Sequence, residues 1–305
     1  MSINQTMRHL GEERSVIREI FEYGNARKKE IGEENVFDFS LGNPSVPAPP
    51  EVNAEITRLI ADMPPVKLHG YTSAAGAPEV RAAVAAYLQT QFGAPVSASR
   101  VYMTCGAAAS LTISLAAMSE AGDEFVVVAP YFPEYRVFIE RAGGKVVEAK
   151  AAADFHLDLA ALDRAIGART KAVILNSPNN PTGAVYGRAE LQALAALLNK
   201  KSAEKGAPVY LIADEPYREL TYGAEVACLL NLYPHTVLCY SFSKSLSLAG
   251  ERIGYIAVPD GCFDADGLFA AVCGAERALG YVCAPALFQR AGGKVVEAKA
   301  SADFH

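Results

Sequence analysis

The sequence has no Cys-x-x-Cys pair, no grouped histidines, no Lys/Arg cluster that stands out and no apolar run approaching a membrane span. Each absence removes a class of protein. A bilayer-crossing helix needs about 18 or more apolar residues, so no membrane partner is expected. The opening residues, MSINQTMRHLGEER, carry charges but no apolar stretch and do not read as a signal peptide. The five histidines (His9, His69, His156, His235, His305) stand singly, so a zinc site or a His-based triad gains little support and no metal is expected. The six cysteines (Cys105, Cys228, Cys239, Cys262, Cys273, Cys283) lie mostly in apolar stretches and read as buried free thiols of a reducing cytoplasm. The net charge is −6, and no basic face for nucleic acid is expected. The glycine fingerprint of dinucleotide binding is missing, which argues against a nicotinamide-dependent dehydrogenase.

What is present suits a soluble globular protein: 305 residues, 51% apolar and 20% charged. That length corresponds to about two domains, or one large one. An amphipathic helix is expected over residues 12–31. VFDF then reads as a short strand, followed by a stiff proline-rich connection with Pro44, Pro47, Pro49 and Pro50. From about residue 76 the pattern alternates. Helices are expected near 77–92, 106–119, 134–142, 158–166 and 187–204. Strands are expected at VYMT, FVVVA (125–129), KVVEA (145–149), KAVILN (171–176), VYLIAD (209–214), TVLCY (236–240) and RIGYIAV (252–258). Continuous apolar strands between helices indicate an α/β fold, a mostly parallel central sheet with helices on both faces. Ligand sites on such sheets lie beyond the carboxyl ends of the strands.

One repeat is unusual. Residues 141–156 read RAGGKVVEAKAAADFH and residues 290–305 read RAGGKVVEAKASADFH, differing only at Ala152 and Ser301. Solenoid repeats recur many times and diverge, and this pair does neither. The first copy fits a helix end, turn and strand. A second identical strand has no evident place in the sheet, so the tail is expected to pack poorly and to be no native domain element.

Four motifs fall at expected strand ends. In SFSKSLSLAGERIGY (241–255), Lys244 follows an apolar strand. A lone lysine is ordinarily a solvated surface charge. At a strand end it is partly desolvated, which lowers its pKa and frees the amine for Schiff-base chemistry. Ser241, Ser243 and Arg252 nearby suit a phosphate. In ADEPY (213–217), Asp214 suits either a helix N-cap or a partner for a protonated heterocyclic nitrogen, and Tyr217 follows three residues on. NSPNNPTG (176–183) is a turn signal in itself, and its Asn180 also suits a ring hydroxyl. TCGAAAS (104–110) places small residues where a helix N-terminus would offer free amides to phosphate, although such residues are common at helix starts.

Taken together, these motifs resemble the class I/II aminotransferases, the fold-type I enzymes that use pyridoxal 5′-phosphate. The likeness is colinear over about residues 15–290. It also takes in Ser15–Arg18, GNP at Gly42–Pro44, Tyr71–Gly76 and PYFPEY at 130–135. The resemblance implies that Lys244 forms a Schiff base with the cofactor and moves the substrate proton. Asp214 would partner the pyridine nitrogen, and Asn180 and Tyr217 the ring hydroxyl oxygen. Ser241, Arg252 and the amides of Ala107 and Ala108 would hold the phosphate, with Ser243 a lesser candidate. Phe132 would stack on the ring, where the alternative is a core aromatic. Tyr71 would reach the neighbouring subunit's phosphate, implying a homodimer with shared active sites. Gly42 would lie near the substrate carboxylate. The implied activity is ping-pong transfer of an amino group between an α-amino acid and a 2-oxo acid.

The expected division is residues 1–45 as an N-terminal part of a small domain, 46–289 as the cofactor-binding large domain, and 290–305 as the duplicate. The likeness is expected to stop near Gln289. The family's carboxylate-clamping arginine then has no candidate, because Arg290 sits in the duplicate and Arg277 comes too early. Two alternatives follow: a β-lyase using the same lysine and aspartate, or a truncated chain that binds the cofactor at most.

Overall fold

The computed structural model describes residues 3–12 and 16–300 and divides into two units, Met1–Ser45 and Val46–His305. In the first unit, helix α1 spans Gln5–Glu12 and α2 spans Val16–Ile31. Ser15 of the Ser15–Arg18 motif lies outside the described residues. The strand expected at VFDF is absent: residues 36–39 form no strand pairing among the described residues. Asp38 gives a local reason. Its Oδ1 accepts from Ser40 N at 3.0 Å and Ser40 Oγ at 2.6 Å, and its Oδ2 accepts from Lys28 Nζ at 3.2 Å. A side chain bonded to its own neighbouring backbone competes with strand pairing.

The second unit opens with three helices, α3 (Pro50–Asp62), α4 (Pro65–His69) and α5 (Pro78–Phe92). Each begins with proline. At the first helical position the missing N–H is not needed and the fixed φ is already helical. Part of the expected proline-rich connection is therefore helix. There follow β1 (Val101–Thr104), α6 (Ala107–Met118), β2 (Glu124–Ala129), α7 (Glu134–Arg141), β3 (Lys145–Lys150) and α8 (Leu159–Ala165). The chain continues through β4 (Thr170–Asn176), α9 (Arg188–Lys205), β5 (Tyr210–Asp214), β6 (Thr236–Ser241), α10 (Phe242–Ser245) and β7 (Gly254–Ala257). It ends with α11 (Ala265–Leu279) and α12 (Ala286–Ala300).

The seven strands form one sheet in the order β1-β7-β6-β5-β4-β2-β3. Strands β2 to β6 are mutually parallel, and β7 is antiparallel to both β6 and β1. Strand β1 therefore points the same way as β6. Alternate residues of each strand enter different cores. Val126, Val173, Leu211 and Leu238 join one with α5, α9 and α12. Phe125, Ile174, Ile212 and Val237 join the other with α6, α7 and α11. Burial on both faces explains the unbroken apolar runs of the strands.

The tail corrects an expectation. Copy one of the repeat is the end of α7, a turn at Gly143 (φ +84°) and strand β3 paired to β2. Copy two, from Arg290, is helix throughout its described part. Instead of packing poorly, it buries Ala291, Val295 (3% exposed) and Val296 (4%) against the body. The two copies meet different surroundings. Val147 pairs with Val126 of β2 in the edge strand β3, whereas Val295 and Val296 continue a helix already started at Ala286 and join the α5 side of the core. Tertiary context outweighs local preference in both. Residues 301–305 of the second copy lie outside the described residues.

Candidate active site

Beside β7, two strand ends meet. Gly254 is paired with Thr104 of β1 on one side and Ser241 of β6 on the other. The start of α6 and the turn carrying Lys244 are thus neighbours although well over a hundred residues separate them in the chain. Gly254 has to be glycine: an added Cβ would lie 3.0 Å from Gly106 Cα and closer still to the Tyr240 carbonyl. Gly106 caps α6 at φ +86°, and a Cβ there would lie 2.8 Å from Arg252 Nη2. The guanidinium therefore rests on a bare stretch of backbone just ahead of the amides of Ala107 and Ala108. Arg252 itself adopts a left-handed conformation (φ +53°), and its Nη1 donates to Ala249 O at 3.0 Å.

Lys244 lies on α10, one turn directly after β6, and is half-buried. Burial and, secondarily, the positive charge of Arg252 lower the pKa of its amine. Ser241 Oγ accepts from Ser243 N at 3.1 Å, capping the turn, and lies 2.8 Å from Ser243 Oγ.

On the neighbouring strand, Asp214 ends β5 and is 5% exposed. Its Oδ2 accepts from Tyr135 Oη at 2.5 Å, and its Oδ1 is buried without a hydrogen-bond partner among the described residues. Burial pushes this carboxyl up to about 7. The Tyr135 bond pulls against that rise, and the charge of Glu215 adds to it. Asn176, paired with Asp214 across β4 and β5, donates to Asp214 O at 2.7 Å, while its Oδ1 accepts from Asn180 N at 2.6 Å. Asn180 Nδ2 in turn donates to Tyr217 Oη at 3.3 Å. Phe132 sets its ring edge-on to Tyr135, with centroids 5.7 Å apart.

Contacts thus link Asp214 to Tyr135 and, through it, Phe132, Asn180 to Tyr217, and Arg252 to Gly106, while the charge of Arg252 acts on Lys244. Tyr71 stands apart in the loop after α4 with its side chain 88% exposed. Gly42 belongs to the first unit. Two residues that hold Asp214 were not singled out from the sequence, Tyr135 and Asn176. Each lies inside a motif already noted, Tyr135 closing PYFPEY and Asn176 opening NSPNNPTG.

The sequence profile of the aminotransferase class I and II family matches residues 34–303. The chain belongs to the class I and II aminotransferase family. The match runs past Gln289, where the likeness was expected to stop, and it begins after Ser15–Arg18. An aspartate aminotransferase of Thermotoga maritima is 34% identical over 228 residues, which are 73% of this chain and 58% of that protein. An aspartate/prephenate aminotransferase of Thermus thermophilus is 34% identical over 77% of this chain and 60% of its own length. The chain thus spans about three-fifths of these curated relatives. Among solved structures, an aminotransferase from Eubacterium rectale superposes with a TM-score of 0.94 at 54% identity, covering 97% of this chain and 75% of that one. Aspartate aminotransferase of Thermus thermophilus with maleate gives 0.82 at 28% identity, covering 98% and 74%. Among the described residues no helix of this aminotransferase-family chain is long and apolar enough to cross a membrane, and no His/Cys/Asp/Glu group could hold a metal.

Proposed function

We propose that this site binds pyridoxal 5′-phosphate and transfers an amino group from an α-amino acid to a 2-oxo acid in two half-reactions. The observation that carries the reading is Asp214 Oδ1, a buried acceptor without a partner among the described residues, on the strand next to the one that leads into a half-buried lysine. A buried orphan acceptor is costly, and a cationic N–H donor satisfies it. The protonated pyridine nitrogen is such a donor. The phosphate has a matching cradle in the α6 amides, the bare Gly106 and the Arg252 guanidinium, with Ser241 and Ser243 beside it.

Bound there, the cofactor supplies an aldehyde for the lysine amine and a ring that takes up the electron pair left when the substrate α-carbon loses its proton. The protein residues supply the rest. Lys244 Nζ takes the proton from the substrate α-carbon and returns it one position further on, a role its lowered pKa suits. Asp214 would hold the proton on the ring nitrogen, Asn180 and Tyr217 would bond the ring oxygen, and Phe132 would stack on the ring. The exposed Tyr71 reaches the phosphate in a second copy, making a homodimer with shared sites, in the cytoplasm. Aspartate and prephenate, named for the relatives, are the first substrates to try.

The test is to add pyridoxal phosphate to the purified chain, reduce with borohydride and map the labelled peptide. Label on Lys244 is expected, together with keto-acid-dependent amino transfer. Label scattered over surface lysines would refute the reading.

A further inference from the structure

The turn that carries Lys244 is only four residues long, Phe242–Ser245. One turn has almost no internal ladder to hold it, so its placement depends on contacts at its ends. Ser241 caps the beginning. At the other end, the hydroxyl of Tyr240 lies 2.8 Å from Ser245 Oγ and 2.8 Å from Glu219 Oε1. Tyr240 has one proton for two partners. The carboxylate only accepts, so the phenol serves Glu219 and the Ser245 hydroxyl completes the second bond. Tyr240 is buried, its ring stacked on Tyr255 at 4.8 Å and edge-on to Phe242 at 5.3 Å. Tyr87 Oη donates to the same Glu219 oxygen at 3.3 Å. Glu219 thus anchors a chain of hydroxyls that ends on the residue next to Lys244.

We propose that Glu219, Tyr240 and Ser245 form a clamp that positions Lys244: Glu219 orients the Tyr240 hydroxyl, Tyr240 holds Ser245, and Ser245 fixes the turn that presents the amine. The clamp touches neither cofactor nor substrate, so these are positioning residues. The proposal rests on the assignment of Lys244 as the amine that condenses with an aldehyde. In that step the neutral amine adds to the aldehyde carbon, a carbon–nitrogen double bond forms and water leaves. The half-burial of Lys244 favours the neutral form of its amine relative to an exposed lysine, and a loosened turn gives that up to solvent.

The experiment measures borohydride-trapped adduct on Lys244 by peptide mass, at one pH, in the full chain. Two aldehydes are used, pyridoxal phosphate and formaldehyde, because the second needs no phosphate or ring site. Ser245→Ala is expected to lower the maximal rate with pyridoxal phosphate about tenfold, the value of one well-placed hydrogen bond. The half-saturating concentration should stay within about twofold, and the formaldehyde rate should fall about fivefold. Ser245→Thr, which keeps the hydroxyl, restores both rates. Tyr240→Phe slows the reaction as much as Ser245→Ala, and the double variant is no slower than Tyr240→Phe alone, as expected of links in one chain. Rates for Ser245→Ala within twofold of the parent with formaldehyde would overturn the clamp. So would a double variant slowed by the product of the two single effects. Pyridoxal phosphate label off Lys244 in the parent chain would instead refute the cofactor reading, and the formaldehyde comparison would still judge the clamp. The Ser245 pair decides the question even where Tyr240→Phe fails to fold.

Discussion

Asp214→Asn should stabilise the cofactor-free chain in a pH-dependent way. The carboxyl titrates near 3.8 when unfolded and at about 7 in the fold, because burial disfavours its charge. A group raised in this way contributes stability fully below its unfolded value. The contribution is lost as pH rises through the folded value. The shift is about three pH units, each worth about 1.4 kcal/mol, so about 4 kcal/mol is at stake. About 3 kcal/mol of it disappears between pH 5 and pH 8. Asparagine does not titrate and can still accept from Tyr135. The difference between variant and parent should therefore move by about 3 kcal/mol in favour of the variant over that range. Other titrating groups cancel in the difference. The chain has no tryptophan, so urea unfolding is followed by far-ultraviolet circular dichroism at pH 5, 6, 7 and 8. Parallel stability curves would refute the account of Asp214 as a buried carboxyl without compensation. Pyridoxal phosphate should flatten the parent's curve, because a cationic donor at Oδ1 favours the carboxylate. It should leave the variant's slope unchanged.

Tyr135→Phe removes the bond that opposes the rise at Asp214, so the midpoint of the parent's pH dependence should climb above 7, at a cost of about 1–3 kcal/mol for the orphaned Oδ2, read by the same titration. Gly106→Ala places a Cβ 2.8 Å from Arg252 Nη2 at a positive φ. It should weaken pyridoxal phosphate binding more than binding of unphosphorylated pyridoxal, and equal losses measured by titration would count against the cradle. Val296→Ala should cost about 2 kcal/mol by urea unfolding, whereas Val147→Ala, at the matching place in the other copy, should cost under about 1 kcal/mol, because only Val296 is fully buried.

All seven strands were legible in the sequence, most of them because burial on both sheet faces makes them apolar runs; β3, the partly exposed edge strand, showed only a short one. Helices α1, α3, α4, α10, α11 and α12 were not, and two of them are instructive. Pro50 disguised α3 as part of a loop, although a proline at a helix start is favourable. The duplicate of KVVEAK disguised α12 as a misplaced strand, since periodicity cannot say which surface a segment will meet. Lys244, Asp214 and Asn180 stood out because each lies at or soon after a strand end, and Arg252 because it comes eight residues after Lys244, just ahead of β7. Their grouping did not, because it depends on β7 entering antiparallel between β1 and β6. Only that insertion brings Gly106 under Arg252 and places Lys244 beside the start of α6.

The two neighbouring carboxylates at the end of β5 show how one strand serves two sides of the sheet. Ile212 lies in the core of α6 and α7, and Ala213 in the opposite core. Continuing that alternation puts Asp214 on the side of Tyr135, while Glu215 belongs with Arg218. Both carboxylates are buried, but they are treated differently. Glu215 has its own cation in Arg218, which lies over the Phe92 ring at 4.5 Å. Asp214 has only a phenol and an orphan oxygen. A fold that neutralises one of two adjacent buried acids and leaves the other short of a cation has a place for one to arrive. The next residues extend the division. Tyr217 joins Asn180 on the side of the proposed cofactor, and Glu219 anchors the hydroxyl chain behind the lysine. On the proposed reading, the short stretch from Asp214 to Glu219 therefore sets the charge for the ring nitrogen on one side and the posture of the amine on the other. Substitutions there should couple the titration of Asp214 to the reactivity of Lys244, although the two side chains sit on different strands.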